Sequence, residues 1–438
     1  MPVNTAVPGA YQYFPLNTPP PGATLSPETY PQNRNVPHLF RPITLRGVTF
    51  PNRIFVSPMC QYSSDNGHAT DWHLVHLGGF ATRGAGAIIV EATAVVPEGR
   101  ISAEDAGLWV ESQIAPIKRC VDFVHAQGVK IGIQLAHAGR KASAHAPWVY
   151  EPADTLKTAP KRLASAEENG WPEDVFGPSA ISYSDSFATP KELTVDGIKS
   201  MIDAFVASTH RALQAGFDFI EIHAAHGYLF HSFMSPLSNV RKDEYGGSYE
   251  NRTRFIKEVV QAVRGVIPKD MPLFCRLSAS DWAPGIPEKD DGGVYRQWGS
   301  EQTTRLAKEL TELGVDLIDV SSSGNWEKQA IPVGPGYQVP FSEDIKKAHP
   351  EVVTGTVGMI LQPKQANEII EKNRADVVLL ARELLRNPNF VLTAASELGV
   401  AVKPANQYER AWTRVLRPKD SDQAAQELLA KQSKGDSA

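Results

Sequence analysis

Eight short apolar runs, separated by helical patterns, limit the folds open to this chain more than any other feature. They are Ile54–Pro58, Ala87–Val95, Lys130–His137, Phe217–His226, Pro272–Ser280, Asp316–Gly324, Val352–Gly358 and Val377–Leu385. Most are continuously apolar, as strands buried on both faces must be. The intervening Val195–Ala215 and Thr303–Leu313 repeat apolar residues at helical spacing, and each is followed by a glycine stop, Gly216 and Gly314. An open doubly wound sheet is the rival arrangement, but no glycine-rich dinucleotide-binding start opens the pattern. The expected fold is therefore α/β, a (β/α)8 TIM barrel.

The ends of these runs are polar or small: Ser57–Cys60, Glu91–Thr93, Gln134 and His137, His223 and His226, Arg276, Ser321–Gly324, Gly358 and Arg382. Barrels build their sites at that face, so these residues should converge on one mouth. Residues 142–194, after the third run, are too many for a plain connection and are expected to cap the mouth as a lid. "ITLRGVTFPNR" ahead of the first run reads as a hairpin with Gly47 in its turn. Residues 1–37, rich in proline and polar residues, are expected to form an extended arm. The barrel domain should span 38–412, and 413–438 a C-terminal extension with one amphipathic helix in SDQAAQELLAKQ.

Composition removes several function classes. A net charge of −5 with no basic run argues against nucleic acid or anionic membrane as partner. Cys60, Cys120 and Cys275 are too scattered for a disulfide framework or a cysteine zinc site, and too few for an iron–sulfur cluster. That cysteine usage, with no secretory signal and no 18-residue apolar stretch, points to a reducing, cytoplasmic setting.

The stretch HAAHGYL carries the chemistry. His223 and His226, three apart and just past a strand, could bind a metal, serve the core, or grip a substrate oxygen. A metal-dependent barrel hydrolase is one reading, but the zinc-binding HExxH spacing of i and i+4 is absent. GTVGM and LLARELL, at the last two runs, suit a phosphate, with Gly358 allowing close backbone approach and Arg382 adding charge. RGAGAIIV precedes its strand and lacks GxGxxG spacing, so no Rossmann-bound dinucleotide is expected.

Taken together, SPMCQYS (57–63), QLAHAGRKA (134–142), HAAHGYL…SPLSNVRKDEYGGSYENRTRF (223–255), RLSASDW, DLIDVSSSG, PGYQVPF, TVGMI, ARELLRNP and QYERAW resemble, in order, the old yellow enzyme family of FMN-dependent ene-reductases. The similarity runs from about Leu39 to Trp412 and is closest to the thermophilic-type branch and its fungal class III relatives. It implies non-covalent FMN at the barrel mouth, reduced by NADPH. Ser57, Pro58, Met59 and Cys60 would line the flavin edge. Ala92 and Gln134 would contact the ring, and Arg276 would face N1 and the C2 carbonyl. Ser322 and Gly324 would approach the ribityl chain, while Val357, Gly358, Ala381 and Arg382 would hold the phosphate. His223 and His226 would hydrogen-bond the carbonyl oxygen of an α,β-unsaturated substrate, with Tyr62 sharing in its binding. Tyr228 would protonate the α-carbon. Arg410 matches an arginine that reaches a neighbouring subunit's site, implying a homodimer or dimer of dimers.

This sequence departs from the branch in its terminal extensions and at Ala381, where glycine is common. The extensions bear on the shared-site arrangement. Alanine serves only if φ there is negative. The EYGGSYENR segment reads as structural, with Gly246 and Gly247 turning and Ser248 capping a helix. An FMN oxidoreductase of fungal secondary metabolism, performing a different transformation, is the alternative within the resemblance.

Overall fold

The computed structural model describes residues 17–149, 162–412 and 415–416. The first 16 residues of the expected arm and the helix expected in SDQAAQELLAKQ lie outside the described residues.

All eight apolar runs contain a strand, and the eight strands are β1 (Ile54–Val56), β2 (Ala87–Ala94), β3 (Lys130–Ala136), β4 (Phe219–Ala224), β5 (Leu273–Ser278), β6 (Leu317–Ser321), β7 (Thr354–Thr356) and β8 (Val377–Leu380). They are parallel and follow chain order around a closed barrel, with β8 pairing β1 through Val378 and Ile54. Closure explains the continuous hydrophobicity: each strand buries one face in the barrel and the other under a helix. The eight principal helices are α1 (Asp71–Ala81), α2 (Ile114–Ala126), α3 (Val195–Ala215), α4 (Arg254–Val266), α5 (Ser300–Glu312), α6 (Val339–Ala348), α7 (Pro363–Glu371) and α8 (Phe390–Glu397). α3 has the bounds its sequence pattern gave: Thr194 accepts from Gly197 N at the start, and Gly216, at φ 91°, ends it. α5 begins three residues before its apolar pattern.

The barrel is plugged from below. The hairpin Ile43–Leu45/Val48–Phe50 sends Phe50 into the barrel interior, 4.9 Å from Phe55, 5.7 Å from Phe219 and 6.4 Å from Phe274 between ring centroids. These four rings are fully buried, each worth roughly 1.5–3 kcal/mol by area. The positive φ in the hairpin turn is at Arg46 (48°), not at Gly47. Gly47 is needed for another reason: its N–H bonds Asp270 O at 2.8 Å, and a Cβ there would lie 2.9 Å from Asp270 Cβ.

Above β3, the described part of 142–194 forms short turns and a two-stranded ladder, Phe176–Gly177 beside Lys191–Glu192. Trp148 meets Tyr62 edge-on at 5.4 Å, and Trp171 donates to Glu98 O at 3.0 Å. Residues 150–161 of this segment lie outside the described residues. At the other end, the chain from Asn17 packs back on the barrel: Leu25 N bonds Ala401 O, and buried Asn33 donates to Leu25 O and Ala401 O.

Candidate active site

β4 ends at Ala224, so His223 stands on the strand while His226 and Tyr228 stand on the loop beyond it. His226 and Gly227 both take the left-handed conformation, at φ 61° and 73°. This turn brings three rings together. His223 lies 5.2 Å from His226 and 5.0 Å from Tyr228, and His226 lies 6.5 Å from Tyr228, all nearly perpendicular.

Nearly every backbone group of the turn is held. Ala225 N donates to His223 Nδ1 at 3.2 Å, which leaves the proton of a neutral ring on Nε2. His226 N donates to Ser278 Oγ at 2.8 Å, and Gly227 N to His231 Nδ1 at 2.9 Å. His231 in turn faces Asp281 at 3.0 Å, both completely buried, and Asp281 also accepts from Trp298 N at 2.8 Å. Lys141 Nζ donates to His226 O and Gly324 O, each at 2.9 Å, tying the loops after β4 and β6 together. The loops touch by backbone: a Cβ on Gly227 would lie 2.6 Å from Gly324 C. Sequence reading missed Lys141, His231 and Asp281. Lys141 is inside the quoted QLAHAGRKA motif, but nothing local says that a lysine in the turn after β3 will reach two later loops.

The electrostatics favour neutral rings. Burial, with Arg276 nearby, holds both His223 and His226 well below the ordinary histidine range. Burial also pushes the Tyr228 phenol well up, so it keeps its proton. Cys60 is pushed up by burial and by Asp105 and Glu91, and remains a thiol. His226 Nε2 stands 2.7 Å from Ser321 Oγ, so Ser321 competes for this nitrogen with any incoming oxygen.

Next to this cluster lies a cavity of about 430 Å³ lined by Arg276, Ser321, Val357, Gly358, Ala381 and Arg382, among others. All six were expected at the mouth or in the flavin site, Ser321 as a polar strand end, while the flavin contact itself was expected of its neighbour Ser322. Gly358 sits at φ 121°, where a Cβ would meet Gln338 Nε2 at 2.9 Å. Ala381 sits at φ −109°, so the position where glycine is common does not require a positive φ here. Arg386 adds a second guanidinium beside Arg382. Arg276 in the lining is 6% exposed, and the Oγ of Ser57, a residue whose backbone N–H bonds the lining residue Leu380, is buried with no partner. Arginines at one end, a glycine cradle, and unspent polar atoms toward the barrel centre fit a phosphate-bearing flavin.

Other expected contacts fall differently. Ser322 and Gly324 are outside the cavity lining: Ser322 Oγ donates to Gln338 at 2.6 Å and accepts from Trp282 Nε1 at 2.9 Å. Gln134 is buried and donates to Glu221 Oε1 at 2.7 Å. Ala92 is buried beside the Cys60 thiol, and Ser57 N bonds Leu380 O at 2.9 Å, anchoring the start of the Pro58–Met59–Cys60 segment. Tyr62 adopts φ 49°. Arg410 stands exposed on Glu409–Trp412 and is outside the cavity lining of its own chain. Among the described residues, no group of three or more His, Cys, Asp or Glu is placed to hold a metal, and no helix is long and apolar enough to cross a membrane.

Comparison with known proteins agrees with the geometry. The model of the NADH:flavin oxidoreductase / NADH oxidase family matches residues 38–400. The chain is 46% identical over 410 residues to the NADH:flavin oxidoreductase FG08077 of Gibberella zeae, covering 93% of this chain and 95% of that protein. It is 47% identical over 377 residues to an NADPH dehydrogenase of a Geobacillus species, covering 85% and 98%. A 2-naphthoyl-CoA reductase structure superposes with a TM-score of 0.70 at 24% identity, which speaks for the fold; the match covers 82% of this chain and 52% of that one. The chain thus belongs to the NADH:flavin oxidoreductase / NADH oxidase family, as an FMN- and NAD(P)H-dependent oxidoreductase of the old yellow enzyme fold.

Proposed function

We propose that the protein is an NADPH-dependent ene-reductase of the thermophilic-type, fungal class III branch, acting on α,β-unsaturated ketones, aldehydes or imides. The observation that carries this reading is the His223–His226–Tyr228 cluster, three uncharged hydrogen-bonding rings within 6.5 Å beside the cavity. FMN, which Arg276, Val357, Gly358, Ala381 and Arg382 would hold there, would supply hydride chemistry between NADPH and the substrate's β-carbon. His223 donates from Nε2 to the substrate carbonyl oxygen, and His226 joins it by exchanging its Ser321 contact for that oxygen. The two donors stabilise the enolate charge as it develops. Tyr228, kept protonated by burial, gives its proton to the α-carbon. Tyr62, braced by Trp148, closes the substrate's side, under a lid to which the described residues 142–149 and 162–194 contribute. Arg276 supplies fixed positive charge at the pyrimidine end, and Gln134 its amide.

Arg410, exposed and apart from its own cavity, acts in a neighbouring subunit of a homodimer or dimer of dimers. The three free thiols suit a reducing, cytoplasmic setting.

An anaerobic flavin spectrum tests the reading. NADPH should bleach the oxidised band and 2-cyclohexenone should restore it. The His223→Ala/His226→Ala variant should keep FMN and bleach normally, yet recover at least about 100-fold more slowly, the cost of losing oxyanion donors. Normal recovery by that variant would sink the carbonyl clamp.

A further inference from the structure

Three acidic residues lie within the barrel strands, Glu91 on β2, Glu221 on β4 and Asp319 on β6. Glu91 is accounted for, since His73 Nε2 lies 3.0 Å away and Gln61 N donates to it at 2.6 Å. Glu221 and Asp319 are not. Both are completely buried, on β4 and β6, and they flank Arg276 on β5, whose register partners are His223 and Asp319. Arg276 Nε lies 3.0 Å from Asp319 Oδ2, but without the alignment of a hydrogen bond. Glu221 Oε1 accepts from Gln134, while Glu221 Oε2 and both Asp319 oxygens have no donor.

The charges do not balance if both acids are ionised: two completely buried carboxylates would face one guanidinium. An unpaired buried carboxylate is strongly disfavoured, and taking up a proton is its ordinary escape. The groups that face Glu221 are Gln134 from β3, Arg276 from β5 and Asp319 from β6, with Cys275 and His223 the remaining titratable neighbours. Only Arg276 is a cation. Burial, then the charge of Asp319, pushes Glu221 up to about 8, and burial raises Asp319 as well.

We propose that Glu221 is a positioning residue that stays protonated at neutral pH, so that Arg276 keeps Asp319 as its single counter-ion. The Arg276–Asp319 pair is then neutral overall, and the guanidinium can turn its remaining N–H groups to the cavity above it. Ionised Glu221 would make the cluster net negative beneath that cavity. This rests on the flavin reading in one respect, that Arg276 faces the flavin's pyrimidine end.

The test is infrared difference spectroscopy of the holoenzyme between pH values below and above the Glu221 transition. A protonated carboxylic C=O band should vanish as pH rises, and Glu221→Gln should abolish it. Asp319→Asn, which removes the neighbouring charge, should move the loss of that band to lower pH, and it serves as the independent variant should Glu221→Gln fail to fold. The flavin midpoint potential should fall more steeply with pH beyond the Glu221 transition, and Glu221→Gln should remove that break. A merely structural residue would leave both the band and the break in place. Absence of a Glu221-dependent band, or persistence of the break in Glu221→Gln, overturns the proposal. The infrared arm needs no enone, so loss of ene-reductase activity with the band intact would refute the proposed reaction and leave the protonated acid standing.

Discussion

Gly227 offers the sharpest test of how the site is built. It lies between His226 and Tyr228 at φ 73°, where the β4 loop meets the β6 loop backbone to backbone. In Gly227→Ala the new Cβ would press on Gly324 O and lie 2.6 Å from Gly324 C and 2.7 Å from Asn325 Cα. Carbon atoms rest at about 3.5–4.0 Å, so the loops must part by about 1 Å. The left-handed backbone adds about 1–2 kcal/mol for an L-residue, and forced overpacking adds about 1–3 kcal/mol. The expected loss is about 2–5 kcal/mol, read as a lower urea midpoint with unchanged slope. Because His226 and Tyr228 ride on the displaced loop, enone turnover should fall about 100-fold in protein that still binds FMN, the usual penalty for a misplacement of this size. Gly265→Ala is the control: it sits inside α4 with nothing within 4 Å of its Cβ, and it should be neutral or up to about 1 kcal/mol stabilising. A Gly227→Ala protein with wild-type stability and turnover would refute the view that contact between these loops places the catalytic rings.

Two further outcomes are expected. Burial beside Arg140 and Arg162 lowers the Lys141 amine to about 7, so it is charged below that pH and neutral above it; a charged donor grips the His226 and Gly324 carbonyls harder. Enone kcat/KM should therefore decline as pH rises through about 7, and Lys141→Met should be slower by about tenfold and lose that limb; an unchanged pH profile in the variant would remove Lys141 from this role. If Arg410 serves a neighbouring subunit, Arg410→Ala should weaken substrate binding, raising KM by roughly tenfold with little change in the subunit's own FMN affinity. Analytical ultracentrifugation should show wild type as a dimer or larger, and a wild-type monomer with full activity would exclude the shared site.

Much of this was legible in the sequence because local rules govern it. Continuous apolar runs of strand length, each followed by a helix, can be buried on both faces in few ways, and the closed barrel is what formed. The same rules located α3 to the residue through its apolar spacing and Gly216 stop, and they put the polar strand ends at one mouth, where Arg276, Ser321, Gly358 and Arg382 line one cavity. What local rules cannot carry is which distant side chain answers which group. That Ser321 at the end of β6 answers His226 from the loop after β4 is one such pairing. That Lys141 reaches two loops from later strands, that a buried His231–Asp281 pair holds Gly227, and that Glu221 and Asp319 flank the one guanidinium of β5 are consequences of closing the barrel. Sequence chose the residues and their strands; only the tertiary structure decided how charges and donors were shared, because burial makes each buried polar group's energy depend on neighbours scores of residues away.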